Sequence, residues 1–373
     1  MQKKSQINEY NDVHSLSNLV HKSKQGAKIL DAWGWHSINK ICFDHDELIT
    51  TIDVIILRYG SWANPSLKAV IKTAITSLNP PTPTQDAPNL ANWWKIVTQY
   101  TQTDGAHVSA NISVGHEVVD NYSHGHSLGN NVAADIIRSN LGSNKLPLDP
   151  VSGLYMLMTS SDVAFTGQGF WGYHDFLCTN ASQSRTSSPF CSNIDNRLVF
   201  AFLPFPGTGN NLLYGCNVFQ PYNAMPLPAP NDAVSPVGGA LDSFVSVMMH
   251  EVMEAATDPY INAWRQNFNE NSEAGDFCQY SYGAGDFWHC GLASVYGSLH
   301  GGGDPNLCRS YPNFHAMKWV STGHIFNIFG TGGSKFLVQK IWSLASKGCQ
   351  MQLQGKESIF ESWWGNSLTL NSF

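Results

Sequence analysis

The stretch "HEVMEAATDP" (residues 250–259) carries His250, Glu251 and Glu254 in the spacing of a zinc hydrolase helix. It departs from that pattern in one way, because a glutamate stands where the second histidine belongs. Together with the residues before it, "LDSFVSVMMHEVMEAATDP" predicts one helix, since apolar side chains recur at the helical period and the final proline prevents continuation. In such a helix His250 and Glu254 lie one turn apart, and Glu251 lies beside them.

This arrangement predicts a metal site. Zinc accepts imidazole nitrogen and carboxylate oxygen, so His250 and Glu254 are the first two candidate ligands. The following segment "NSEAGDFC" offers Glu273 or Asp276 as the third ligand, and Glu251 is placed to act as a general base that takes a proton from water. Zinc is the expected ion, although oxygen-rich ligation also suits other divalent ions. The alternative is an ordinary amphipathic helix with a surface His–Glu pair, but the segment is too apolar for an exposed helix.

The remaining elements are predicted from hydrophobic patterning. The apolar, β-branched run "IDVIILRYG" indicates a buried strand at residues 52–60. Helices are predicted within 64–78, 89–101 and 129–142, and strands within 107–120, 153–165, 196–205, 324–330 and 335–342. Strands that alternate with helices favour one mixed α/β layered domain. We therefore predict an N-terminal arm at 1–43, a single domain at 44–350 and a C-terminal tail at 351–373.

Composition excludes several classes of function. The net charge of the 373-residue chain is −7 and no long basic run occurs, which argues against nucleic acid as a partner. No apolar run approaches the about 18 residues of a membrane span. The chain contains neither a G-x-S-x-G elbow nor a phosphate-binding glycine loop before a helix, which argues against a serine hydrolase and a nucleotide-binding protein.

Other features favour an oxidising compartment. Charged residues make up only 13% of the chain, and N-glycosylation sequons occur at Asn111, Asn121 and Asn180. The first 25 residues are polar throughout and are not a signal peptide, so we expect the leader to be absent from this chain.

The eight cysteines are an even number, which also fits disulfide formation. The expected pairs are Cys178 with Cys191 and Cys290 with Cys308, because each pair closes a short polar loop.

Several motifs together resemble the EXORDIUM (phosphate-induced protein) family of plants and related eukaryotes. They run in colinear order through residues 44–350: "LRYGSW", "NWWKIVTQYT", "YSHGHSL", "GYH", "HEVMEAATDPYINAW", "EAGDFC" and "KFLVQKIW" with Cys349. The resemblance implies a protein secreted into the cell-wall space and linked to growth and cell expansion, with no settled activity. It also implies a zincin-like fold of the mixed α/β (α+β) type, in which helices pack on a mixed sheet.

Some positions depart from the family pattern. The family signal peptide is missing, Trp171 stands where a cysteine is expected, and the loop after "DFC" is replaced by a segment that introduces Cys290 and Cys308. Two further features have ordinary interpretations. His174 fits a buried, hydrogen-bonded core histidine, and Trp93 and Trp94 fit core packing, with stacking on sugar rings as the alternative for an exposed pair.

Two functions remain open at this point. The first is a secreted EXORDIUM-like protein involved in growth or cell-surface processes, on a metallopeptidase-like scaffold with a metal site. Its partners are cell-wall polymers, extracellular proteins or other copies of itself, and in the last case it is a self-associating extracellular structural protein. The second is an active zinc-dependent hydrolase that cleaves a peptide or similar acyl bond, with Glu251 as the general base. Metal content separates a metal site from an ordinary helix, and loss of hydrolysis on Glu251→Gln separates an enzyme from an inactive scaffold.

Overall fold

The fold is a mixed α/β arrangement with a five-stranded sheet and four α-helices in the part of the chain that the structure describes. The computed structural model describes residues 48–79, 89–102, 104–167, 172–179, 197–206, 231, 234, 240–261, 263–264, 273–278, 328–345 and 348–351. The predicted arm and tail lie almost entirely outside these residues, so the domain boundaries stay a prediction. None of the described helices is long and apolar enough to cross a membrane.

The sheet has four parallel strands and one antiparallel edge strand. In sequence order its strands are β1 (Ile52–Tyr59), β2 (Ile112–Asp120), β4 (Gly153–Thr159), β6 (Tyr173–Cys178) and β7 (Arg197–Leu203). Their spatial order is β2-β1-β4-β7-β6, and only β6 runs against its neighbour. The predictions of β1, β2, β4 and β7 are confirmed. Strand β6 was not predicted, because its six residues mix polar and apolar side chains and its direction is set by pairing with β7.

Helices cover both faces of the sheet. One face packs against α1 (Pro65–Thr76), α2 (Leu90–Val97) and α4 (Ala240–Thr257), and the opposite face packs against α3 (Val132–Gly142). All four predicted helices are confirmed. Trp93 and Trp94 on α2 are fully buried, which confirms core packing and contradicts the sugar-stacking alternative.

The alternation of side chains in β1 explains why the whole strand is apolar. Ile52, Val54 and Ile56 join the core beneath α1, α2 and α4. Ile55, Leu57 and Tyr59 point the other way and join the core beneath α3. Because successive side chains of a strand lie on opposite faces, a central strand covered on both sides needs a continuous apolar run.

The described residues also form three small two-stranded sheets. They are formed by β3 (Ser127–Leu128) with β5 (Ala164–Phe165), β8 (Ile328–Phe329) with β9 (Lys335–Phe336), and β10 (Ile341–Ser343) with β11 (Gly348–Gln350). The last two partly match the short strands predicted near the C-terminal end of the domain.

The edge strand β2 contains a β-bulge. Its register with β1 shifts at Gly115, where a side chain would collide with the carboxylate of Asp53. Beyond the bulge, Glu117 accepts hydrogen bonds from Arg58 at 2.7 Å and Lys72 at 2.8 Å. The extra residue breaks the regular hydrogen-bonding pattern along this edge.

Helix α4 is the most deeply buried of the described helices. Its bounds, Ala240–Thr257, agree with the helix predicted at 241–259. The apolar stripe predicted for it is buried, and so are most of its other side chains. The helix lies against β6 and β7, and the Thr257 hydroxyl donates back to the Met253 carbonyl in its last turn. Any polar side chain on α4 is therefore enclosed by protein and needs a partner.

Candidate metal centre

The polar residues of α4 form the base of a buried cluster. His250 and Glu254 are four residues apart, and Nε2 of His250 lies 3.0 Å from Oε2 of Glu254. Glu251 and Glu254 are only 5% and 3% exposed. The predicted one-turn spacing of the first two candidate ligands is thus present in the structure, inside the protein rather than on its surface.

Gln339 fixes the orientation of the His250 ring. Its Oε1 lies 3.1 Å from Nδ1 of His250, and its Nε2 donates to the carbonyl of Gly275 at 3.0 Å. Since the amide nitrogen is used in that bond, the oxygen faces the ring and accepts from an Nδ1 hydrogen. The lone pair of a neutral His250 then sits on Nε2, which faces Glu254 and lies 3.7 Å from Oδ1 of Asp276. Hydrogen bonds of this kind set the tautomer of a ligand histidine.

The segment 273–278 closes the cluster. The backbone N–H of Asp276 donates to Oε1 of Glu254 at 3.1 Å, at the start of the short 3-10 helix Asp276–Cys278. Gly275 makes this approach possible, because an added Cβ would lie 2.6 Å from Oε1 of Glu254. The segment is attached to β11 by a disulfide bond between Cys278 and Cys349.

His174 enters the cluster from the sheet. The pleat of β6 directs it towards α4, where its Nδ1 lies 3.7 Å from Glu251 and 3.8 Å from Glu254. On the other side of the ring, Nε2 lies 3.0 Å from the carbonyl oxygen of Asp258, which follows α4. The buried group of His174, Glu251 and Glu254 could hold a metal ion.

The prediction for His174 was therefore incomplete. The residue is buried and hydrogen-bonded as expected, but it also lies among the acids of α4. Its position in the "GYH" motif was the only signal in the sequence that connected it with them.

The acids raise the pKa values of both histidines. Burial alone would lower the pKa of His174, but Glu273 and then the two acids of α4 raise it well above its usual value. Burial likewise opposes protonation of His250, and Glu254 foremost raises its pKa well above the usual value. In the folded protein both rings therefore favour a bound positive charge, as a proton or as an ion.

The carboxyl groups respond to the same crowding. Burial and then the Glu254 carboxylate raise the pKa of Asp276 to about 7. Burial raises the pKa of Glu273 well above its usual value. Although burial opposes its ionisation, Glu254 has a lowered pKa because His250 lies beside it. The neighbouring histidine therefore favours the ionised form of Glu254.

The two acids suggested as the third ligand occupy different places. Asp276 faces His250 and forms with it and Glu254 a second group that could hold an ion. Glu273 lies on the side of His174, with its Oε1 3.6 Å from Nε2 of that ring. Glu251, the predicted general base, faces His174.

The predicted disulfide bonds are tested only in part. Cys178 is disulfide-bonded, but Cys191, its predicted partner, lies outside the described residues, as do Cys290 and Cys308. The Cys278–Cys349 bond was not predicted, although both cysteines belong to motifs that carried the family resemblance.

Two of the three predicted glycosylation sites are described. Asn111 and Asn121 are exposed, as an acceptor asparagine must be, and Asn180 lies outside the described residues. Glycosylation at these positions stays a prediction.

The chain is similar to proteins of one known family. Residues 44–295 match the family described as Phosphate-induced protein 1 conserved region. Protein EXORDIUM-like 3 of Arabidopsis thaliana is 29% identical over 313 residues, which are 81% of this chain and 80% of that protein. Protein EXORDIUM-like 5 of the same plant is 27% identical over 304 residues, covering 80% of this chain and 73% of its own length. Protein PHOSPHATE-INDUCED 1 of Nicotiana tabacum is 24% identical over 312 residues, covering 81% and 84%. No solved structure shows a significant match.

Proposed function

Because the chain belongs to the phosphate-induced protein 1 family, we propose that it is a secreted, EXORDIUM-like cell-surface protein whose metallopeptidase-like scaffold binds a divalent metal ion. The ligands are His250, Glu254 and Asp276. The observation that carries the proposal is the arrangement around His250, whose Nδ1 is occupied by Gln339 while Nε2 faces the two carboxylates. A nitrogen lone pair that faces two carboxylates is repelled by them unless a cation or a proton lies between.

The donor set suits a borderline divalent ion. One imidazole nitrogen with two carboxylate oxygens is a ligand combination that zinc accepts, and manganese also accepts it. When bound, such an ion would supply a Lewis acid at the rim of the cluster. The side chains of His250 and Asp276 are 12% and 28% exposed, so this side of the cluster faces solvent.

The location outside the cell is supported by covalent chemistry. Cys278 and Cys349 form a disulfide bond and Cys178 is also disulfide-bonded, and such bonds persist in oxidising compartments. The net charge of −7 argues against nucleic acid as a partner. The partners that remain in the proposal are cell-wall polymers, extracellular proteins or other copies of this chain.

Hydrolysis is the second candidate function, and the burial of Glu251 favours it. A carboxylate on α4 that is 5% exposed and one residue from His250 is placed to hold a proton taken from water at the cluster. The substrate in this case is a peptide or another acyl compound.

Metal analysis of the purified protein tests the main proposal. We expect wild-type protein, produced through an oxidising compartment, to retain zinc or manganese after gel filtration in metal-free buffer. His250→Asn should lose the ion held by His250, whereas the exposed His116→Asn, a matched control on β2, should retain it. Wild-type protein without a retained or titratable divalent ion would show that the proposal is wrong.

Activity is tested separately with Glu251→Gln. The hydrolase hypothesis expects peptide hydrolysis by the wild type and its loss in this variant while the ion at His250 remains. Equal turnover in wild type and Glu251→Gln would contradict the role of Glu251 as general base. No turnover in either protein would contradict hydrolysis, and both results leave the metal-binding proposal intact.

A further inference from the structure

The cluster divides into two groups that share one residue. His174, Glu251 and Glu254 form the first group, and His250, Glu254 and Asp276 form the second. Within each group the candidate ligand atoms lie within 4.8 Å of one another. The two histidines belong to different groups. A single ion could therefore occupy either group, and two ions could occupy one group each.

The histidine rings are oriented independently and in the same manner. Nε2 of His174 lies 3.0 Å from the Asp258 carbonyl, and a carbonyl accepts only, so this nitrogen carries the hydrogen. In the neutral ring the lone pair is then on Nδ1, which faces Glu251 and Glu254. The ring of His250 is fixed in the equivalent way by Gln339. Each ring therefore presents a lone pair to its own group, and each has the outer hydrogen bond that ligand histidines usually make.

Glu254 lies between the two rings. Its Oε2 is 3.0 Å from Nε2 of His250 and 3.8 Å from Nδ1 of His174. Its Oε1 accepts the N–H of Asp276, which holds the carboxylate in place. A carboxylate held between two nitrogen lone pairs has the position of a bridging ligand.

Glu273 is a further buried acid beside the cluster. Its side chain is only 8% exposed and forms a hydrogen bond with Glu254. Its Oε1 lies 3.6 Å from Nε2 of His174 and has no hydrogen-bond partner among the described residues. A buried carboxyl oxygen without a hydrogen bond is the kind of group that a bound ion satisfies.

We propose that the chain binds a pair of divalent cations bridged by Glu254, one held by His250 and Asp276 and the other by His174 and Glu251. The inference rests on the proposed metal-binding function and extends it to a second ion. Carboxylate-bridged metal pairs in proteins are about 3.5–4 Å apart, which suits one carboxylate between two histidine rings. Both positions offer one nitrogen and several oxygens, so both suit Zn²⁺ or Mn²⁺.

Stoichiometry tests the pair. Wild-type protein is stripped with chelator, loaded with Zn²⁺ or Mn²⁺, passed through gel filtration and measured by elemental analysis. We expect two ions per chain for wild type and for His116→Asn, one for His174→Asn, one for His250→Asn, and a loss of both tight sites for Glu254→Gln. One ion in wild type overturns the pair and leaves the proposed function standing. No ion in wild type overturns both, and two ions retained by His174→Asn overturn the assignment of the second ion.

A spectroscopic measurement on the wild type avoids the risk that a buried variant does not fold. Two Mn²⁺ ions joined by a carboxylate are magnetically coupled, so the electron paramagnetic resonance spectrum of the fully loaded protein should differ from that at half loading. The isolated six-line signal of a single ion at every loading would overturn the bridged pair.

Discussion

Replacing Gln339 by leucine removes the side chain that orients His250. The native amide accepts from Nδ1 of His250 at 3.1 Å and donates to the Gly275 carbonyl at 3.0 Å. Its backbone position does not depend on these bonds, because the Gln339 carbonyl accepts a hydrogen bond from the Trp93 indole at 2.8 Å. Leucine has a similar volume and restores neither bond, so the variant isolates the effect of orientation.

The size of the effect follows from those two bonds. A buried donor or acceptor left without a partner costs about 1–3 kcal/mol, and loss of an outer partner of a metal ligand lowers metal affinity about 10–100-fold. The two estimates agree, since a tenfold change in affinity corresponds to about 1.4 kcal/mol. We therefore expect Gln339→Leu to bind Zn²⁺ about 10–100-fold more weakly than wild type.

Isothermal titration of chelator-stripped protein with Zn²⁺ measures this change, and circular dichroism confirms folding. Gln99→Leu is the matched control, because Gln99 accepts hydrogen bonds from the Ser343 hydroxyl and the Ala345 N–H without contacting the cluster. The control should lose some thermal stability and keep its affinity. A folded Gln339→Leu protein with wild-type affinity would show that Gln339 does not orient the ligand.

Three further predictions concern the same region. The raised pKa values of His174 and His250 mean that ion binding displaces protons, so Zn²⁺ affinity measured by titration should rise with pH. The same pKa shifts stabilise the metal-free fold while the two rings are protonated. The melting temperature of the metal-free protein should therefore fall as the pH rises through the raised pKa values of the histidines. A Zn²⁺ affinity that falls with pH, or a melting temperature that rises with pH, would contradict the burial of both rings among acids. Gly275→Ala should lower the melting temperature and weaken Zn²⁺ binding, because overpacking costs about 1–3 kcal/mol and the new methyl group meets a ligand carboxylate; unchanged affinity would refute the close approach. Changing Cys278 and Cys349 together to serine should lower the free energy of unfolding in denaturant by about 2–4 kcal/mol, because the bond joins residues 71 apart and so restricts the unfolded chain. Equal stability would contradict a stabilising role of this bond.

Local patterns in the sequence were sufficient for most of the fold. The continuous apolar run of β1 and the helical period of α4 are properties of neighbouring residues, and both elements form where they were predicted. The half of the site that lies on α4 was predictable for the same reason, because His250 and Glu254 are brought together by the helix itself.

The other half of the site depends on contacts between distant parts of the chain. His174 reaches the cluster only because β6 pairs antiparallel with β7 and its pleat directs the ring at α4. Gln339 contacts His250 although it lies 89 residues further along the chain. No spacing rule relates such residues in the sequence, and neither was predicted as part of the site.

The bulge at Gly115 limits how copies of this protein can join. An edge strand with a regular hydrogen-bonding pattern is a template on which another chain adds a strand, and repeated addition builds fibres. In β2 the extra residue interrupts that template partway along, and Glu117 beyond it is held by Arg58 and Lys72. Addition of a strand from another copy is therefore interrupted at this edge. Two copies that meet at β2 would depend on side-chain contacts rather than on a shared backbone ladder.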